Sequence, residues 1–211
     1  MDSVCALYHV HAGLFRVLAL SFSYGAKHNR QEISRAHWHC RKLEIEHMVI
    51  PLDFMNHALN SALLESGGDI PDGHYTDSIM RQTVVPFRNG IMLAIAAGIA
   101  ESREIEQIVI AAHSGDHPIY PDCRENFLSA METAILSGTY KGPGIYRPFV
   151  AMDKSAILQR GVELGVDFSQ TWSCYKGGKT HCGTCGTCVE RREAFQYAGI
   201  PDTTVYQGKT E

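Results

Sequence analysis

Four of the seven cysteines fall within fifteen residues: Cys174, Cys182, Cys185 and Cys188. Thiolates are soft ligands, and four of them around one centre make the closed tetrahedral arrangement of a structural zinc site. The glycines inside Cys182-Gly-Thr-Cys185-Gly-Thr-Cys188 let the backbone curl, so that neighbouring sulfurs face one point and amide N–H groups stay free to bond them. Cys188 enters the first turn of the last helix, where the helix dipole favours its thiolate. Structural zinc is the preferred reading. An iron–sulfur cluster shares the Cys-x-x-Cys-x-x-Cys spacing and remains an alternative, as do four reduced thiols. His181 adjoins Cys182, but four cysteines already complete the site. Cys5, Cys40 and Cys123 are scattered, and an odd total with one tight cluster does not describe a disulfide framework.

The elements that must position this site alternate. Ser3 to Ala12 reads as a short helix, and Val17 to Phe22 as a buried strand ending at Tyr24-Gly25. A helix with a polar face follows over Asn29 to Leu43, then a strand over Glu46 to Pro51. Residues 66–73 read as a loop on their turn residues. Asn89 to Ile99 is an apolar helix, buried on most sides. Ile105 to Ala112 is a strand, Glu125 to Ser137 a helix stopped by Gly138, and residues 146–149 a short extended piece. Lys154 to Leu164 and Val189 to Ala198 are the last helices. Continuous apolar strands alternating with helices predict a doubly wound α/β fold with a parallel sheet. The domain expectation is an α/β domain over residues 1–170 and a metal-bound segment over 171–211. His37, His39 and Cys40 look like ligands at first, but a surface helix explains them.

Composition narrows the partners. The 211 residues are 45% hydrophobic and 20% charged, which suits a globular domain with a sizeable core. No apolar run of about eighteen residues predicts a membrane helix, and Met1-Asp2-Ser3-Val4-Cys5 offers neither a basic n-region nor a cleavable apolar stretch, so secretion is not expected. A cytoplasmic location is therefore expected. A net charge of −4 argues against a nucleic-acid partner and leaves room for a small anionic ligand at a local positive site.

Four segments in order carry a resemblance: Tyr24-Gly25-x-x-His28; Val85-Pro86-Phe87-Arg88-Asn89; Gly115-Asp116 with Tyr120-Pro121-Asp122-Cys123-Arg124; and the cysteine segment led by Thr171-Trp172-Ser173. Over nearly its whole length the chain resembles the 7-cyano-7-deazaguanine synthases. The resemblance implies the adenine-nucleotide-hydrolase-like fold with a pyrophosphate loop. It implies a C–N bond-forming ligase of queuosine precursor biosynthesis. The reaction takes 7-carboxy-7-deazaguanine, ammonia and ATP to 7-cyano-7-deazaguanine through an adenylated intermediate. ATP, structural zinc and magnesium carried by ATP are the implied cofactors, and a homodimer is the implied assembly. Asp2, Ser3, Arg88 and Asn89 are the implied nucleotide-binding residues. Tyr24, His28, Tyr120, Asp122 and Arg124 are the implied substrate residues, and Lys154 and Asp116 the catalytic ones. Without the resemblance, each has a plain structural reading: Asp2 and Ser3 as a helix cap, Lys154 as a solvated helix lysine, residues 116–124 as an irregular turn held by prolines. Cys123 is not needed as a nucleophile.

The family's loop signature, Ser-Gly-Gly-x-Asp-Ser, follows its first strand, and here the chain begins Met1-Asp2-Ser3-Val4. Met1 then matches the variable residue. The expectation is a natural start roughly ten residues upstream, supplying an interior strand and the phosphate-binding glycines. A chain truly starting at Met1 is expected to bind ATP poorly. Ser23 and His113 depart from residues common in the family. The alternatives are a zinc-stabilised binding protein derived from this family, or another pyrophosphate-loop ligase or tRNA-modifying enzyme.

Overall fold

A computed structural model describes residues 1–13, 15–74, 81–116 and 118–208. Its contacts divide the chain into two units. Unit 1 comprises Met1, Ser3–Pro86 and Ser155–Glu211; unit 2 comprises Asp2 and Phe87–Lys154.

Unit 1 opens with helix α1 (Asp2–Ala12), whose Asp2 belongs to the other unit. Strand β1 (Leu18–Ser23), helix α2 (Asn29–Lys42) and strand β2 (Glu46–Pro51) then form one β-α-β unit. β1 and β2 pair in parallel, from Leu18 with Glu46 to Ser23 with Pro51. Parallel neighbours need a crossover, and α2 is that crossover, packed on both strands. Pro51 has no amide hydrogen to offer the ladder and stands at its last rung. Short helix α3 (Phe54–Ala58) follows. The C-terminal part of unit 1 supplies α6 (Lys154–Glu163, of which Lys154 is in unit 2) and α7 (Gly186–Ala198). Met55, Leu63, Leu64, Ile157, Leu158 and Phe195 fill its interior.

Unit 2 holds α4 (Arg88–Ser102), β3 (Gln107–Val109), α5 (Glu125–Gly138) and β4 (Gly144–Tyr146). β3 and β4 are again parallel, Ile108 opposite Ile145, and both isoleucines are buried. α4 packs on β3, α5 on β4, and the two helices on each other. The expected α/β architecture with parallel strands is thus observed, carried among the described residues by two two-stranded sheets, one per unit.

Two expectations about elements need correction. The strand expected over Ile105 to Ala112 is only three residues long, because the chain turns away for the loop that follows. His39 and Cys40 are not on a surface face of α2: they are 0% and 1% exposed. The Tyr8 hydroxyl bonds His39 Nδ1 at 3.0 Å, and Nε2 pairs with the Gln170 carbonyl at 3.1 Å. The stretch Arg81–Ser102 reaches a mean hydropathy of 1.5 in its most apolar window. The helix inside it starts only at Arg88, after Phe87 turns left-handed (φ 55°), and its Leu93, Ala96, Ala97 and Ala100 are buried in unit 2. Fifteen residues span about 22 Å, short of a hydrocarbon core of about 30 Å.

Candidate functional site

The four expected metal ligands converge. Their sulfurs all lie within 4.8 Å of one another. Cys182 and Cys188 are 3.9 Å apart, Cys185 and Cys174 4.0 Å. A tetrahedral zinc with Zn–S near 2.3 Å sets S···S edges of about 3.8 Å, so the cage has the right size. Cys185 is the N-cap of α7, and Cys188 lies in its first turn. Backbone N–H groups bond the sulfurs, Cys182 to Cys174 at 3.3 Å and Cys185 to Cys182 at 3.3 Å. Hydrogen bonds from Cys174 and then Cys188, with Thr187 adding to them, hold the Cys185 thiol far below its ordinary range against burial. Donor type, spacing and closure fit a tetrahedral metal ion with no open position.

Sequence reasoning missed how this segment is fastened. Arg191, on α7, is 0% exposed. It donates to Thr171 Oγ1, Ser173 Oγ, the Phe168 carbonyl and Thr204 Oγ1. A buried guanidinium needs such a full set of acceptors. One side chain thus ties the residues before Cys174 to the polar tail. Lys176, between the first two ligands, pairs with Asp72 at 2.6 Å, and the Gly73 amide bonds the Thr184 carbonyl.

The β1–α2 turn carries Tyr24 and His28, both buried. Gly25 has φ +77°, and a Cβ there would meet Asn56 Cβ at 2.5 Å, so this turn requires glycine. Asn29, unremarked in the sequence, builds it: its Oδ1 accepts from the Tyr24 and Ala26 amides and its Nδ2 donates to the Phe22 carbonyl. The asparagine at the start of an expected helix was the available signal. His28 Nε2 stands 3.3 Å from Glu32 Oε2.

In unit 2 the candidates gather around the N-termini of α4 and α5. Arg88 lies with its guanidinium 6.0 Å from the centre of the Tyr120 ring. The Asn89 amide donates to Asp122 Oδ2 at 2.8 Å, and its side chain reaches the Asp122 carbonyl and Cys123 Sγ. The buried Asp122 carboxylate therefore caps α4 from another segment, where the helix dipole favours an anion. Burial pushes the Cys123 thiol up to about 12, with the Asp116 and Asp122 charges acting in the same sense. It remains a thiol at neutral pH, in keeping with no nucleophilic role. Asp116 Oδ2 accepts from the His113 amide and faces His113 Nε2 at 3.6 Å. Because the Gly115 amide donates to His113 Nδ1, the ring proton sits on Nε2, towards the carboxylate. Arg124 is exposed and stands at the N-cap position of α5, where its side chain makes no capping bond.

Asp2 and Lys154 meet, Oδ2 to Nζ 3.7 Å. Burial alone would raise the Asp2 carboxyl, but the Lys154 ammonium, the chain terminus and His113 together bring it down to about 2. Its Oδ1 is buried with no hydrogen-bond partner among the described residues. Asp2 and Ser3 form the first turn of α1 and neither side chain caps it; Ser3 is exposed.

The described residues thus define a parallel α/β protein with a four-thiolate centre and a basic, aromatic and carboxylate-lined loop cluster. The chain belongs to the family described as queuosine biosynthesis protein QueC, whose model matches residues 1–199. A 7-cyano-7-deazaguanine synthase from Porphyromonas gingivalis is 55% identical over 99% of this chain and 94% of its own length. Synthases of the same name from Caldicellulosiruptor bescii and Rhizobium johnstonii are 46% and 44% identical, each over 98% of this chain and 93% and 88% of their own. A solved U34-tRNA thiolase from Methanococcus maripaludis overlaps at a TM-score of 0.49 and 13% identity, over 99% of this chain and 72% of its own, too loosely to bear on chemistry.

Proposed function

We propose that this chain is a ligase that converts 7-carboxy-7-deazaguanine and ammonia to 7-cyano-7-deazaguanine at the expense of ATP, in queuosine precursor biosynthesis. The observation that carries this reading is the 55% identity to a 7-cyano-7-deazaguanine synthase over almost the full length of both chains. ATP supplies an adenylate leaving group, without which a carboxylate resists attack by ammonia.

The protein's part is positioning and charge. Arg88 over Tyr120 offers a planar cation beside an aromatic face, suited to a flat heterocycle bearing a carboxylate. Asp116 is held as an acceptor by His113 and would take hydrogen bonds from the guanine-like edge, which is rich in N–H donors. Asp122 supports the cluster by fixing the start of α4. Arg124 is exposed and would meet an anionic group of the substrate. Arg88 and Asn89, and likewise Asp2 and Ser3, are proposed as nucleotide-binding residues, with the Arg88 guanidinium offering its charge to phosphate. Lys154, paired with the Asp2 carboxylate, is proposed to offset charge on the phosphates as they leave. Magnesium would ride on the phosphates and water. Tyr24 and His28 are also proposed as substrate residues. We assign zinc to Cys174, Cys182, Cys185 and Cys188, in a segment over 171–211 that the metal stabilises. A cytoplasmic homodimer without a nucleic-acid or membrane partner completes the reading.

The test is ATP–pyrophosphate exchange by the purified protein. Exchange that requires 7-carboxy-7-deazaguanine, with 7-cyano-7-deazaguanine accumulating when ammonium is added, is the expected result. Ligand binding without exchange would instead leave a binding protein.

A further inference from the structure

The loop that runs from Cys174 to Cys182 rests on the β1–α2 turn within unit 1. Tyr175, next to the first metal ligand, lays its ring 5.1 Å from the ring of His28, at 32°. Gly177 approaches the turn so closely that a Cβ would meet the Lys27 carbonyl oxygen at 1.9 Å. The Gln31 side-chain amide donates to the Gly178 carbonyl at 2.8 Å. Three contacts in a row make the metal loop and the turn one packed body.

His28 is 2% exposed, and its Nδ1 has no hydrogen-bond partner among the described residues. A ring whose Nε2 faces a carboxylate carries its proton there and keeps the Nδ1 lone pair as an acceptor. The direction of that acceptor is set by what the ring packs against. On one side that is Tyr175.

We propose that Tyr175 is a positioning residue for His28, so that the four-thiolate centre, by anchoring Cys174, fixes how His28 presents its acceptor to the substrate. The proposal rests on the reading of His28 as a substrate residue. It also has a thermodynamic converse. If the closed metal loop favours one His28 geometry, the His28 ring favours the closed metal loop by the same factor.

The experiment uses the zinc-loaded full chain and the variants Tyr175→Leu, Tyr175→Phe, His28→Ala and the Tyr175→Leu/His28→Ala double. Tyr175→Leu is expected to raise KM for 7-carboxy-7-deazaguanine about tenfold, the worth of one well-placed hydrogen bond, with kcat within about twofold. Tyr175→Phe keeps the ring and is expected to restore KM. In the His28→Ala background the leucine is expected to add nothing, since its target is gone. Equal KM increments in both backgrounds overturn the proposal. An unchanged KM in His28→Ala removes its premise, a different failure that the same cycle identifies. Zinc release to a chromogenic chelator gives a readout independent of activity. Release is expected to be several-fold faster from His28→Ala than from wild type, and equal rates overturn the coupling. Should Tyr175→Leu fail to retain metal, the release rate from His28→Ala decides alone.

Discussion

At the scale of single residues, two adjacent glycines make opposite demands. Gly177 has φ +65° and no room for a Cβ, whereas a Cβ on Gly178 would meet the Thr180 carbonyl oxygen at 3.4 Å, an ordinary contact. Gly177→Ala is expected to displace the metal loop and cost upwards of about 2 kcal/mol by clash and backbone strain; Gly178→Ala should fall within about 0.5 kcal/mol of wild type. Urea unfolding of the two proteins checks this, and equal midpoints would contradict the packing described. The sequence did not distinguish the two glycines. It did reveal the cysteine cage, because spacings of three residues fix geometry locally. The His28–Tyr175 contact has no such local signature: the neighbouring Gln31–Gly178 bond joins positions 147 residues apart. Arg191 escaped notice for a related reason, since a charged residue on a helix reads as solvated until its acceptors from two other segments are seen.

At the scale of elements, α2 shows how a correct helix can be assigned the wrong face. Its polar composition suggested exposure around residue 39, yet Tyr8 of α1 and the backbone at Gln170 take both nitrogens of His39. Burial lowers His39 to about 4, the Lys42 charge assisting and the hydrogen bond to Gln170 opposing. The folded value lies below the unfolded value of about 6.5, so the unfolded chain binds the proton first. The contribution is therefore fully present above about pH 6.5 and is lost as pH falls towards 4. Chemical denaturation between pH 7 and pH 4 is expected to show this decline, with a shallower slope in His39→Gln. Identical slopes would mean that His39 titrates normally in the folded protein. β3 is the converse case. Its apolar run was legible, but where pairing stops depends on β4 and on the turn into residues 114–116, which apolar character alone does not encode.

For the whole molecule, metal is the expected keystone of unit 1. Purified protein should carry stoichiometric zinc by elemental analysis. Chelation is expected to lower Tm by about 6–12 °C if the site contributes as little as about 3 kcal/mol, and re-addition of zinc should reverse the loss. An unchanged Tm in fully stripped protein would remove the structural role assigned to the cysteines. The division of the chain adds a temporal dimension. Unit 1 is left at Pro86 and resumed at Ser155, with unit 2 almost entirely in between. On the ribosome, unit 2 emerges as a nearly continuous stretch and can collapse while unit 1 is only half made. Residues 155 to 211 take several further seconds at about 5–20 residues per second. They bring all four clustered cysteines with them. Metal capture by these cysteines is therefore expected to follow the synthesis of unit 2, and a nascent chain starved of zinc is expected to stall with its first β-α-β unit formed and nothing to close over it.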